Sequence, residues 1–363
     1  MTARSEKTLA TGQEQRSETI SWVEIAKGIG IVAVVIGHVP SAPMNHYIFL
    51  FHMPLFFLLS GYVFRSMDSL TLFNRRLRSL MLPYLSFGIL VMGIDLAASK
   101  FSGVAPVLDV VNPTADLLRL VIGGGALYGP FGAFWFLSCL FMAGLGYNFL
   151  SNRLGGRKSY VTALVIALSV ALAYLIQFAS QSGGVVGKVM GVDPHAIFIV
   201  PAAIFFFWVG NRCRGLPKRI AFWLLIFGAA LGLSLANKVP EFDMKALLFG
   251  TPFNLFVAAG LSALVVLISI GCQHVLGLKW VLLHLGRTSL SIMALHLAVI
   301  THVHSFLPPV ATILLGLLLP VVAHTLLSAW PTTRMIFLGG RGGQAPVRHP
   351  GQGTGLHSRK ELK

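Results

Sequence analysis

Charge is scarce in this chain: charged residues make up 11% of its 363, against about a quarter in ordinary soluble domains. With 55% hydrophobic residues and a mean hydropathy of +0.77, that scarcity excludes a soluble globular protein and leaves a polytopic membrane protein. Cysteine is nearly missing too. Cys139, Cys213 and Cys272 are odd in number and far apart, which excludes a disulfide framework and a zinc spacing and leaves small packing residues. Gly-x-Ser-x-Gly elbows, phosphate-binding Gly-rich loops and paired catalytic carboxylates are absent, so hydrolase and ATPase readings lose their support. No short apolar core with a small-residue cleavage site precedes the first long apolar stretch. The expectation is therefore a first helix that stays in the membrane. No internal repeat and no soluble domain is apparent.

What is present is a series of apolar stretches near the ~20 residues that cross a ~30 Å hydrocarbon core. They fall at about 22–40, 47–64, 79–98, 131–150, 159–178, 196–211, 220–236, 251–271, 281–302 and 309–329. The fold class expected is an all-α, polytopic bundle of about ten transmembrane helices, with both termini cytoplasmic. Residues 1–21 form a polar tail, 22–330 the membrane domain, and 331–363 a basic, disordered tail. With the N-terminus inside, 22 of the 28 Lys and Arg residues fall on the cytoplasmic side, which fixes that orientation. The net charge of +16 is thus mostly topological, and it suits membrane lipid headgroups as a partner; no nucleic-acid partner is expected.

The residues that carry chemistry lie mainly in the first two stretches, where Glu24, Lys27, His38 and His52 are ionisable groups within lipid-length segments. Such groups are costly there and count as functional candidates. Glu24 and Lys27 are three apart and share a helix face, and eleven further steps of ~100° put His38 on the same stripe, ~16 Å along. The plainer reading is an interfacial ion pair with His38 at the far interface. Gly28, Gly30 and Gly37 on this helix suit close packing or backbone approach to a ligand. His52, just before Pro54, should lie at a depth similar to His38, and two imidazoles there could serve as base and orienting partner.

Arg75, Arg76 and Arg78 cluster at the cytoplasmic edge of the third stretch, where forked guanidinium groups can hold phosphates or simply touch lipid. Asp95 is either a carboxylate that orients an imidazole or a solvated helix end; Trp135 and Phe136 read as an interfacial aromatic belt. His296, His302 and His304 lie in and after the ninth stretch without a carboxylate or Cys beside them, so no metal is expected.

The run EIAKGIGIVAVVIGH, Glu24 to His38, followed by FHMPLFFLLSGYVF, resembles the opening of the acyltransferase family 3 membrane proteins, in particular the fucose and exopolysaccharide O-acetylase branch. The family's basic residue, ten intervening residues and His match Lys27 and His38. Its Arg-x-x-Arg pair matches Arg75 and Arg78. GAFWFLSCLF (Gly132 to Phe141) and LGRTSLSIMALH (Leu285 to His296) resemble its Trp-Phe-Leu and late Gly, Ser-Leu, His segments. Lys27 stands where many members have Arg, and Glu24 where Asp is common, which keeps the charges but loses the guanidinium fork.

The resemblance implies an O-acetyltransferase of the bacterial inner membrane, a multi-pass protein whose donor is cytoplasmic acetyl-CoA. Its acceptor would be a sugar hydroxyl of an exported or lipid-linked surface polysaccharide, with association to the polysaccharide assembly machinery. Lys27, Arg75, Arg76 and Arg78 would hold the coenzyme A. His38 would be the general base, with Glu24 setting charge along the path and His52 binding the acceptor or orienting His38. A covalent acyl-His relay is a variant of this scheme. The competing class is a transporter or flippase for a polysaccharide or anionic solute, which would use the same charges as a pathway.

Overall fold

The computed structural model describes residues 3–40, 45–103, 105–106, 113–154, 159–214 and 241–340. The turn joining the first two apolar stretches, the seventh stretch (220–236) and the basic tail from 341 onward lie outside the described residues.

The described residues form helices without a strand. In order they are α1 (Ala3–His38), α2 (Asn45–Val63), α3 (Ser69–Arg76), α4 (Leu82–Ser102), α5 (Pro113–Ile122), α6 (Trp135–Leu154), α7 (Ser159–Gln181), α8 (Gly184–Val192) and α9 (Val200–Arg212). After the undescribed stretch come α10 (Pro252–Cys272), α11 (Leu276–Arg287), α12 (Ser289–Val303), α13 (Pro309–Ala329) and α14 (Pro331–Leu338).

Seven helices among the described residues are long and apolar enough to cross a membrane, and the bent pair α11 and α12 makes an eighth if it is one span. Tyr47–Val63 is a shorter apolar helix containing Pro54. Pro252 and Pro309 open α10 and α13 directly after extended residues, Thr251 and Pro308. A missing N–H costs nothing at that position, because the first-turn donors have no partner within the helix.

Two local features depart from the simple reading of the sequence. The ninth stretch is not one straight helix: α11 and α12 meet at 78°. Thr288 sits at the break, with its hydroxyl donating to the carbonyls of His284 (2.9 Å) and Leu285 (3.2 Å). The bend lets α11 press against α1. A Cβ on Gly28 would lie 2.2 Å from the Leu282 carbonyl oxygen, and one on Gly286 would lie 1.9 Å from that of Glu24. Only glycine permits backbones this close, so Gly28 serves helix packing. The second feature is a π-helical turn, Leu77–Met81, between α3 and α4. The wider turn inserts extra backbone and so rotates the side chains of α3 relative to those of α4.

α1 and α2 occupy the middle of the bundle. α2 packs on α9 and α10, while α1 packs on α2, α10 and α11 and, further along, on α12. The core is strongly aromatic. Phe57 meets Phe136 edge to face at 5.2 Å, and Phe64, Tyr147 and Phe207 continue the cluster. Trp135 and Phe136 are buried here, which corrects the expectation of an interfacial belt. Cys139 and Cys213 are buried and Cys272 half-buried, all as free thiols.

Candidate active site

Three imidazoles from three helices converge. His38 ends α1, His52 lies about two turns into α2, and His296 lies midway along α12. The His38 ring is 6.2 Å from that of His52 and 5.1 Å from that of His296, edge to face in both pairs. Phe49 packs 5.7 Å from His38 and 5.0 Å from His52.

Each ring places Nδ1 on the carbonyl four residues earlier in its own helix: His38 on Val34 at 2.8 Å, His52 on Ile48 at 2.7 Å, His296 on Ile292 at 2.8 Å. A carbonyl can only accept, so Nδ1 carries the proton in every case. The neutral ring therefore keeps its basic lone pair on Nε2. That tautomer is the one a general base needs. His296 Nε2 is buried with no hydrogen-bond partner among the described residues.

His38 and His52 open on a chamber of about 300 Å³, whose wall also includes Trp135, Met293, Asp243 and Lys245. The last two come from the loop before α10, which supplies the charge in an otherwise apolar surround.

A second cavity, of about 260 Å³, lies toward the basic end of the bundle and is lined by Lys27, Arg65, Arg75 and Arg76, together with Ser60, Ser79 and apolar side chains. Ser79 Oγ is buried without a hydrogen-bond partner among the described residues, leaving polar capacity in this wall. Lys27 pairs with Glu24 at 2.8 Å, as their spacing predicts. Arg76 donates through Nη1 to the Leu140 carbonyl at 2.9 Å, and a Cβ on Gly144 would meet its guanidinium at 2.0 Å. Arg76 is thus seated in a slot on α6, whereas Arg75 is exposed.

Arg78, expected beside Arg75, is not part of this lining, since the π turn at Leu77–Met81 breaks the three-residue register between them. Arg65 is present instead; it is a basic residue just past the end of α2 that the Arg-rich run overshadowed. Glu24 lines neither cavity and serves to hold Lys27. Met293 lines both cavities, so its side chain is common to their walls.

Asp95 is fully buried, which excludes a solvated helix end. It is paired with His302 and not with His38. His302 Nε2 lies 2.9 Å from the Asp95 carboxylate and Nδ1 lies 2.9 Å from Ser102 Oγ, so the ring donates to the carboxylate and accepts from the hydroxyl. Among the described residues His304 bonds its own helix, at the Ile300 carbonyl. His296 was visible in sequence without a role, and Asp243 and Lys245 were missed. Their one signal was a D-x-K pair beside large apolar residues in a loop between apolar stretches.

Compared with curated proteins and with solved structures, the chain matches none. A family model described as an acyltransferase domain matches residues 20–334, and it takes in both cavities and every residue that lines them. The chain belongs to acyltransferase family 3, as a multi-pass membrane acyltransferase.

Proposed function

We propose that the protein moves an acetyl group from cytoplasmic acetyl-CoA to a sugar hydroxyl of an exported or lipid-linked surface polysaccharide, in a bacterial inner membrane. The observation that carries this reading is the pair of cavities sharing Met293, one lined by Lys27, Arg65, Arg75 and Arg76, the other by His38 and His52. A cationic cavity at the basic end suits the phosphates of an acyl-CoA through charge-assisted hydrogen bonds. The thioester then reaches past Met293 to the histidines, where the acceptor arrives from the far side.

His38 Nε2 takes the proton of the acceptor hydroxyl as its oxygen attacks the thioester carbonyl. The tetrahedral intermediate collapses, the C–S bond breaks, and the leaving thiolate receives the proton from the His38 imidazolium. Ester and free coenzyme A result, with no net change in the enzyme. His52 holds the other side of the chamber. The aromatic surround keeps out water, which would otherwise compete as acceptor.

The test is a proton NMR spectrum of surface polysaccharide from cells carrying the wild-type chain or His38→Ala. Loss of O-acetyl methyl signals with polymer yield and length unchanged supports the enzyme. Unchanged acetylation with polymer failing to reach the surface would instead require a transporter.

A further inference from the structure

We propose that the loop before α10 builds the acceptor subsite, with Asp243 and Lys245 together gripping neighbouring hydroxyls of a polyhydroxylated ligand at the mouth of the histidine chamber. This rests on reading that chamber as an acyl-transfer site.

Asp243 and Lys245 line two cavities. One is the chamber of His38 and His52; the other is a separate groove of about 320 Å³ whose wall adds Ser180, Gln181, Met190 and the single glycines Gly125, Gly187 and Gly191. A ligand lying in the groove would touch both charged residues and, through them, the space before His38. Among the described residues the groove lining contains no aromatic side chain, and its polar groups are Ser180, Gln181, Asp243 and Lys245.

The loop is held rigidly. Asp243 and Leu248 exchange two backbone hydrogen bonds, of 2.8 and 2.9 Å. Phe242, Met244, Leu247 and Phe249 are all buried beneath it. Gln177 on α7 takes the Phe249 N–H and donates to the Gly250 carbonyl, and Tyr174 donates to Thr251 at 2.8 Å. A support of this kind fixes side chains to the tolerance that a binding site needs.

The two charged groups retain capacity for a ligand. Asp243 Oδ1 accepts from the backbone N–H groups of Lys245 (2.8 Å) and Ala246 (3.3 Å), which leaves Oδ2 without a protein partner among the described residues. Among the described residues Lys245 Nζ donates once, to the Leu127 carbonyl at 2.7 Å, out of three N–H groups. Burial disfavours the Lys245 ammonium, and the nearby Asp243 carboxylate partly restores it. A hydroxyl donates to a carboxylate and accepts from an ammonium, so an acceptor and a donor two residues apart complement adjacent sugar hydroxyls.

The plainer role, a clamp closing the loop on Leu127, is separable by experiment. Asp243→Asn keeps Oδ1 for the turn, and Lys245→Met keeps the stem while losing the ammonium. Membranes carrying each variant are assayed with radiolabelled acetyl-CoA and the host's own polysaccharide after chemical de-O-acetylation. Each variant should raise the acceptor KM by about tenfold, the scale of one hydrogen bond to a charged group. The acetyl-CoA KM should stay at the wild-type value in both variants and the thermal midpoint at the wild-type value in Asp243→Asn, and Lys245→Arg should recover most of the acceptor affinity. An unchanged acceptor KM overturns the proposal, as does a parallel rise for donor and acceptor. If the wild type transfers no acetyl at all, the reaction proposed above is the one that fails. Equilibrium binding of that de-O-acetylated polysaccharide, tritium-labelled for the purpose, to purified protein then decides the subsite, which stands only if Lys245→Met weakens it.

Discussion

The His38 and His296 rings meet edge to face 5.1 Å apart, in a bundle where one ends α1 and the other lies mid-way along α12. His296 is fully buried and tied to its own helix through Nδ1, so it forms a fixed wall against which the His38 ring is set. His38→Ala should lower acetyl transfer by about 10² to 10⁴, the usual worth of a general base. His296→Ala should lower kcat by roughly tenfold without raising the acetyl-CoA KM, since a displaced base loses geometry and not donor binding. Initial rates in membranes at matched protein levels check this; a His296→Ala enzyme with wild-type kcat would remove His296 from the site.

Arg75 and Arg78 look equivalent in sequence and are not equivalent in the fold. Arg75 lines the basic cavity and Arg78 does not. Arg75→Ala should raise the acetyl-CoA KM about ten- to a hundredfold, as expected for one lost hydrogen bond to a charged group. Arg78→Ala should leave that KM within about twofold, the change that a lost exposed surface contact brings. Donor saturation curves for the two variants decide the matter, and equal losses would refute the assignment.

Met293 is common to the two cavities. An unbranched thioether can swing aside for a passing chain, and its bulk limits what fits beyond it. Met293→Ala should therefore shift donor preference toward longer acyl groups, read as the ratio of butyryl to acetyl transfer in competition. No shift, in a variant that still folds and transfers acetyl, would show that the cavities connect elsewhere.

Asp193 predicts a pH dependence of stability. Burial raises its carboxyl to about 6, although hydrogen bonds from the Phe198 and Ile197 backbone N–H groups pull the other way. The folded state thus binds this proton more tightly than the unfolded chain. Its contribution is complete below the unfolded carboxylate range, ~3.9, and is lost as pH rises through about 6. Asp193→Asn keeps the oxygen that Phe198 N–H donates to, at 2.8 Å, and cannot ionise. The variant in detergent should lose part of the fall in thermal midpoint that the wild type shows between pH 5 and 7; identical slopes would contradict the assignment.

The sequence by itself determined the features that are local. Apolar length and the distribution of Lys and Arg made this a multi-pass helical membrane protein. Helical periodicity placed Glu24 against Lys27 and His38 further along one stripe, and the His38 and Arg75 neighbourhoods were recognisable as those of acyltransferase family 3. What only the tertiary structure decided depends on contacts between helices or on departures from ideal helical register. A π turn took Arg78 out of the lining that Arg75 joins. Thr288 and the glycine contacts of α11 with α1 bent the ninth stretch and set the course of α12, which carries His296. Asp95, which the sequence left without a partner, chose His302. Asp243 and Lys245 reached the histidines because buried aromatics and Gln177 hold their loop against the bundle, and helical periodicity has no hold on residues in a loop.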